Sequence, residues 1–179
     1  MLPIYLEGRS FSNLPSQEAM DILNSGLALM PVQHTRAAGW YPERSLGQED
    51  GREAASFADA IGFPAGVSLW CDLEGVNTAA HAQEVIADCR GWYEAVRAGG
   101  YSPGLYVGAG TLLSGQQLFE LPFHHYWRSS SRVPNIASRG YQLVQLSPSI
   151  QLNGISVDLD IAVPDEKGES ARWLRVPRP

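Results

Sequence analysis

The sequence has no run of apolar residues long enough to cross a bilayer as a helix. Its opening stretch, Met1-Leu2-Pro3-Ile4-Tyr5-Leu6-Glu7, lacks the basic segment followed by an apolar one that marks a secretory leader. Membrane insertion is therefore not expected. With only two cysteines, Cys71 and Cys89, there is no disulfide framework and no metal-ligand spacing, and both are read as buried free thiols. Basic residues are few and scattered, 13 Lys and Arg against 19 Asp and Glu. The net charge of -6 excludes the clustered cationic surface that phosphate backbones require, so no nucleic-acid partner is expected.

Internal repeats and low-complexity tracts are also missing. The densest charged stretch, Asp165-Glu166-Lys167-Gly168-Glu169, reads as a solvated turn. Gly108-Ala109-Gly110 lacks the third glycine and the Lys-Ser/Thr ending of a phosphate loop, so it reads as a tight turn. Ser129-Ser130-Ser131 has no nucleophile-elbow context and reads as loop. His124 and His125 are adjacent on a predicted strand and should point to opposite faces, which argues against a shared metal and leaves one of them to hydrogen-bond inside a cleft.

What is present is a chain of 179 residues, 44% hydrophobic, enough for one sizeable core and too short for two ordinary domains. Short apolar runs alternate with helical patterns, as in a parallel sheet covered by helices. Strands are predicted near Pro3-Leu6, Leu27-Gln33, Val67-Glu74, Leu105-Val107, His124-Trp127, Tyr141-Leu146 and Ile155-Ile161. Helices are predicted from an N-cap at Ser16 to about Asn24, over Gly51-Ile61, from about Thr78 to Ala98, and in a short piece after Gly110. Trp92 and Tyr93 are assigned to packing. About seven strands is one short of an eight-stranded β/α barrel.

Side chains alternate across a strand. Val67, Leu69, Cys71 and Leu73 should meet helices, leaving Ser68, Trp70, Asp72 and Glu74 to face a barrel interior. Two carboxylates so close in a partly dry setting repel each other, which raises the pKa of at least one. The last strand repeats the pattern, with Ile155, Val157, Leu159 and Ile161 on the helix face and Ser156, Asp158 and Asp160 on the other. Acids at the C-terminal ends of barrel strands read as catalytic; the competing reading makes them helix caps and loop residues. Trp70 is expected in the core, and Trp40 and Trp127 either touch a sugar or fill the core.

Four motifs then occur in a recognisable order: Asp72-Leu73-Glu74 after an apolar strand, Pro103-Gly104-Leu105-Tyr106-Val107 after a long helix, Gln145 on the penultimate strand, and Val157-Asp158-Leu159-Asp160 at the end. In these the chain resembles a bacterial glycoside hydrolase-like domain of unknown function, related to the family-25 lysozymes that cleave peptidoglycan. The resemblance covers nearly the whole chain and implies a TIM-type β/α barrel. It makes Glu74 the general acid, with Asp72 and Asp158 as stabilising carboxylates and Tyr106 and Gln145 lining the cleft; Asp160, on the same face as Asp158, is a further candidate for binding substrate. It implies a glycan substrate and no cofactor. That family begins with a strand ending in an acid, whereas this chain starts at what looks like the second strand; Glu7 and Arg9 match no motif for the role. The barrel is accordingly expected to be incomplete or to lack its first strand.

Three functions remain open at this level: hydrolysis of an N-acetylated glycan such as peptidoglycan, glycan binding without cleavage, and a metal-dependent hydrolase using Asp72, Glu74, Asp158 and Asp160 as oxygen ligands. The protein is expected to be cytoplasmic as synthesised, with a phage-lysis or secretion system as a route to the envelope.

Overall fold

The computed structural model describes residues 2–6 and 15–176. Glu7 and Arg9 lie outside the described residues. The chain builds β1 (Leu2–Leu6), α1 (Ser16–Asn24), β2 (Leu29–Gln33), α2 (Arg44–Ile61), β3 (Ser68–Leu73) and α3 (Ala82–Ala98). It continues through β4 (Ser102–Val107), α4 (Gly115–Glu120), β5 (His125–Arg128), β6 (Leu143–Leu152) and β7 (Ile155–Ala162). One curled seven-stranded sheet runs in sequence order, parallel from β1 to β6, with β7 antiparallel to β6. Among the described residues no pairing joins β7 back to β1. The described strands thus form a curled half-barrel, as expected of an incomplete barrel.

Alternation on β3 divides the core as the sequence pattern predicts. Leu69 and Leu73 join Leu105 and Val107 of β4 in an outer cluster with the helices, while Trp70 lies in an inner cluster with Met30, Val32, Trp127 and Leu143. Cys71 packs at the outer cluster and Cys89 is fully inside it; both are free thiols that burial pushes well above the usual range. Trp92 stacks on Phe123 and donates its indole N–H to Gln33 Oε1 at 2.6 Å.

The inner cluster is closed from below by the C-terminal segment, which contributes Ala171 and Trp173. β2 and β3 pair only through Val32–Trp70 and Gln33–Cys71. Their lower ends bond the segment instead: Leu29 and Leu174 exchange N–H···O bonds of 2.8 and 2.9 Å, and Ser68 N–H donates to Arg172 O at 3.0 Å. The predicted solvated turn at 165–169 anchors this return. Asp165 is buried there and accepts from Arg139 Nη1 at 2.9 Å and Gln142 Nε2 at 2.8 Å.

Four expectations need correction. Pro15, not Ser16, occupies the N-cap of α1, without a side-chain bond. α2 begins at Arg44, seven residues earlier than its apolar pattern suggests. Gly47 and Gly51 are helical because α3 passes so close that a Cβ on Gly47 would overlap Asp88 O and one on Gly51 would lie 2.6 Å from Trp92 O. α3 begins at Ala82, because Asn77 folds the preceding residues into a turn and Glu84 reaches back to His81 N–H at 2.7 Å. The last two strands form a hairpin through Asn153-Gly154, both at positive φ, so β7 descends towards the sheet. Among the described residues no helix covers its outward face: Leu159 is 44% exposed and Ile161 49%.

Asp88 sits on α3 in the tight contact with α2. Burial raises its pKa to about 7, against the N–H of Glu43 that bonds it at 3.2 Å. The folded value lies above the unfolded one, so this group's stabilisation is complete below about pH 4 and is lost as the pH rises to about 7. Asp88→Asn should therefore narrow the stability difference between pH 4.5 and 7.5, read from urea unfolding, by up to about 2–4 kcal/mol. Trp173→Ala should cost about 1–3 kcal/mol in the same assay; a loss below about 0.5 kcal/mol would show that the C-terminal segment is not part of the core.

Candidate active site

The parallel strands end together at one pole, and the groups singled out by the sequence gather there. β2 and β3 deliver a cluster of His34, Asp72 and Glu74, whose nearest N and O atoms all lie within 4.8 Å of one another. His34 follows the inward-facing Met30 and Val32 by alternation. Its Nδ1 pairs with Asp72 Oδ2, the Asp72 side chain being 6% exposed and His34 39%. The other oxygen of Asp72 is buried without a hydrogen-bond partner. Asp50 on α2 holds the segment after His34, accepting from Arg36 Nε at 3.0 Å and also from Arg36 Nη2.

Glu74 lies one residue past the end of β3. Its carboxyl is raised above the usual range, first by burial and then by the charge of Asp72, with His34 acting in the opposite direction. Two neighbours fix its place. Gly108, after β4, has no room for a side chain, because a Cβ there would overlap Glu74 Cβ. Trp40 donates its indole N–H to Glu74 O at 2.8 Å, and Asn77 N–H donates to Trp40 O at 2.8 Å, so two loops are stapled beneath the carboxylate. Trp40 is half-buried against the outer core, holding the backbone of Glu74.

Across the sheet, Tyr106 is the register partner of both Asp72 and Trp127. Its hydroxyl donates to Gln145 Oε1 at 3.1 Å, which also accepts from Ser130 N–H at 3.1 Å; Gln145 Nε2 donates to Asp158 Oδ2 at 2.6 Å. Asp158 further accepts from Ser149 Oγ. Trp127 is buried, edge-on to Tyr106 and Trp70, and its indole N–H donates to Asp160 Oδ1 at 2.7 Å. Trp127 therefore belongs to the inner core. Burial raises the Asp160 carboxyl, the indole N–H opposes it, and Asp158 adds to the rise.

The arrangement departs from the sequence reading in three ways. Asp158 and Asp160 come from a descending strand of a hairpin, not from the C-terminal end of a parallel one. His124 and His125 do not reach this cleft; they stand at the start of β5, at the opposite pole. His34 was not among the candidates, although its place directly after an apolar strand, in register with Met30 and Val32, is a signal that alternation alone could have found.

Residues 3–160 match the model of the Rv2525c-like, glycoside hydrolase-like domain. The chain belongs to that family. Its fold is similar to that of an uncharacterized B. stearothermophilus protein solved at 1.07 Å, at 20% identity and TM-score 0.66, over 90% of this chain and 83% of that one. It is also similar to the Mycobacterium tuberculosis Tat-secreted protein Rv2525c in complex with L-tartrate, at 14% identity and TM-score 0.67, with the same coverage. The HEPES complex of that protein matches at 14% identity and TM-score 0.66. At these identities the likeness is one of fold. Comparison with curated proteins gives no match.

The cluster's electrostatics in this member of the glycoside hydrolase-like family can be read without a substrate. Asp72→Asn should lower the Glu74 pKa by removing a neighbouring negative charge, and His34→Ala should raise it by removing a positive one. Carboxyl-carbon NMR titration of Glu74 in the two variants checks both signs, and shifts in the same direction would refute the assigned causes.

Proposed function

We propose that this protein is a glycoside hydrolase acting on an N-acetylated glycan such as peptidoglycan, with Glu74 as the general acid. The observation that carries the reading is the raised, half-buried Glu74 carboxyl at the C-terminal pole of the sheet. A general acid has to be protonated when the leaving oxygen departs, and desolvation beside a second carboxylate favours the protonated form. Asp72 and Asp158 are the groups that would stabilise positive charge developing on the sugar or its acetamido group. Tyr106 and Gln145 form the wall between them, bonded to each other at 3.1 Å. The order of these motifs, which resembles that of the family-25 lysozymes, supports the substrate class. Such a substrate lies outside the bacterial membrane, so the reading includes delivery by a secretion or lysis system.

Glu74→Gln keeps the size of the side chain and removes its acid function. It should reduce release of soluble fragments and reducing ends from purified cell-wall glycan by about 10²–10⁴-fold. Full activity in that variant would end the assignment. Oligosaccharide binding with no bond cleaved by the wild type would instead support a glycan-binding barrel.

A second reading rests on the His34, Asp72 and Glu74 cluster, which offers one nitrogen and two carboxylate ligands within 4.8 Å of one another. This set differs from the all-oxygen one read from the sequence: Asp158 is committed to Gln145 and Ser149, and Asp160 to Trp127. A mixed nitrogen and oxygen set suits zinc or another transition ion better than Mg²⁺ or Ca²⁺. Melting temperature and activity that fall on chelation and return with added Zn²⁺ would favour this reading over the acid catalysis of Glu74.

A further inference from the structure

At the pole opposite the carboxylates, a cavity of about 310 Å³ opens between the end of α3, the starts of β4 and β5, and the returning C-terminal segment. That volume is at the lower end of small-molecule sites. Its lining is polar: Arg97 from the last turn of α3, Ser102 from the first residue of β4, His124 and His125 at the start of β5, and Ser170 and Arg172 from the C-terminal segment. Neither guanidinium has a hydrogen-bond or ion-pair partner among the described residues. In a chain where acids outnumber bases, two unpaired arginines lining one concavity stand out, because no protein carboxylate pairs with either among the described residues.

Glu169 also lines the cavity, but its charge is committed. It accepts from Arg139 Nη1 at 3.0 Å and stands 3.5 Å from His124 Nδ1. Arg139 in turn is tied to the buried Asp165. The two arginines are therefore left to meet something from solution. We propose that this cavity is a second binding site, which takes a small molecule through its phosphate group. The planar donor forks of Arg97 and Arg172 match tetrahedral oxyanions, and the Ser102 and Ser170 hydroxyls supply neutral donors. His125 is buried, 3.3 Å from Ser102 Oγ through Nδ1, and its pKa is lowered, first by burial. It enters as a neutral imidazole whose one N–H, on Nδ1, is donated to Ser102 Oγ, which leaves the Ser102 hydroxyl proton for the phosphate.

Calorimetric titration at constant ionic strength tests this, with inorganic phosphate and glucose 6-phosphate as probes and glucose as the uncharged control. Wild type should bind both phosphates saturably at one site in the millimolar range, and glucose not at all. Arg97→Gln and Arg172→Gln should each weaken binding about tenfold, the double variant should show no saturation, and Glu74→Gln should bind as wild type. Both arginines are exposed, so the variants should melt with the wild type. Histidine NMR of the wild type gives a readout independent of any variant: phosphate should shift the ring signals of His124 and His125. No saturable binding, unchanged affinity in the double variant, or histidine signals indifferent to phosphate would each overturn the proposal.

Discussion

A sheet that stops short of closing has an inner face with no opposing strands to fill the space in front of it. In a complete barrel that space is filled by layers of side chains from all round the circle. Here the described strands curve only part of the way, and the inner face must be covered by large side chains of its own and by a segment brought back from the end of the chain. Trp70 and Trp127 supply the bulk, packed edge to face at 5.8 Å, and Ala171 and Trp173 come from the returning segment. The return is possible because β2 and β3 separate at their lower ends and leave Leu29 and Ser68 free to bond Leu174 and Arg172. The buried Arg139–Asp165 pair holds the turn from which it starts. A lone buried charge would be costly, and Asp165 accepts from the side chains of Arg139 and Gln142 and from the N–H groups of Lys167 and Glu169.

The same aromatic layer sets the chemistry above it. Carboxylates placed on open strand ends would be solvated and ordinary. Glu74 and Asp160 instead rest on the upper edge of a dry layer, where burial is the leading cause of the rise in each. Glu74 and its neighbours thus form a polar layer directly on top of an aromatic and aliphatic one, and the two layers are consecutive inward positions of the same strands: Trp70 then Asp72 on β3, Val32 then His34 on β2.

That two-residue repeat is why so much was legible in the sequence. Alternation on 67–74 placed Leu69 and Leu73 against helices and Trp70 and Asp72 inside. What was not legible depended on contacts between distant segments. Gly47 and Gly51 look like helix breakers until α3 is seen to approach too closely for any side chain. Asp165 looks like part of a charged turn until Arg139, 26 residues away, is placed beside it. Asn153-Gly154 is a different case, because an Asn-Gly pair between two alternating apolar runs is a local hairpin signal. The turn makes β7 antiparallel to β6 and so puts Asp158 within a descending strand, not at the C-terminal end of a parallel one.

The hairpin also explains why Gln145 matters more than an ordinary cleft residue. Beyond Leu143 and Val144, β6 has no partner on β5, so among the described residues the upper half of the β6–β7 arm is held to the sheet by what its side chains reach. Outward, the arm presents exposed apolar residues with no helix against them among the described residues. Inward, Gln145 is pinned at both ends: its carbonyl accepts from Tyr106 and Ser130, and its amide donates to Asp158. Because the carbonyl faces the Ser130 N–H and the amide a carboxylate, the opposite orientation would set like against like at both of those contacts. Gln145 therefore carries the position of Asp158 back to β4 and to the loop after β5. The distance between the Glu74 cluster and the arm is set by that chain of three bonds and the Trp127–Asp160 bond below it, rather than by the backbone ladder that fixes the rest of the sheet.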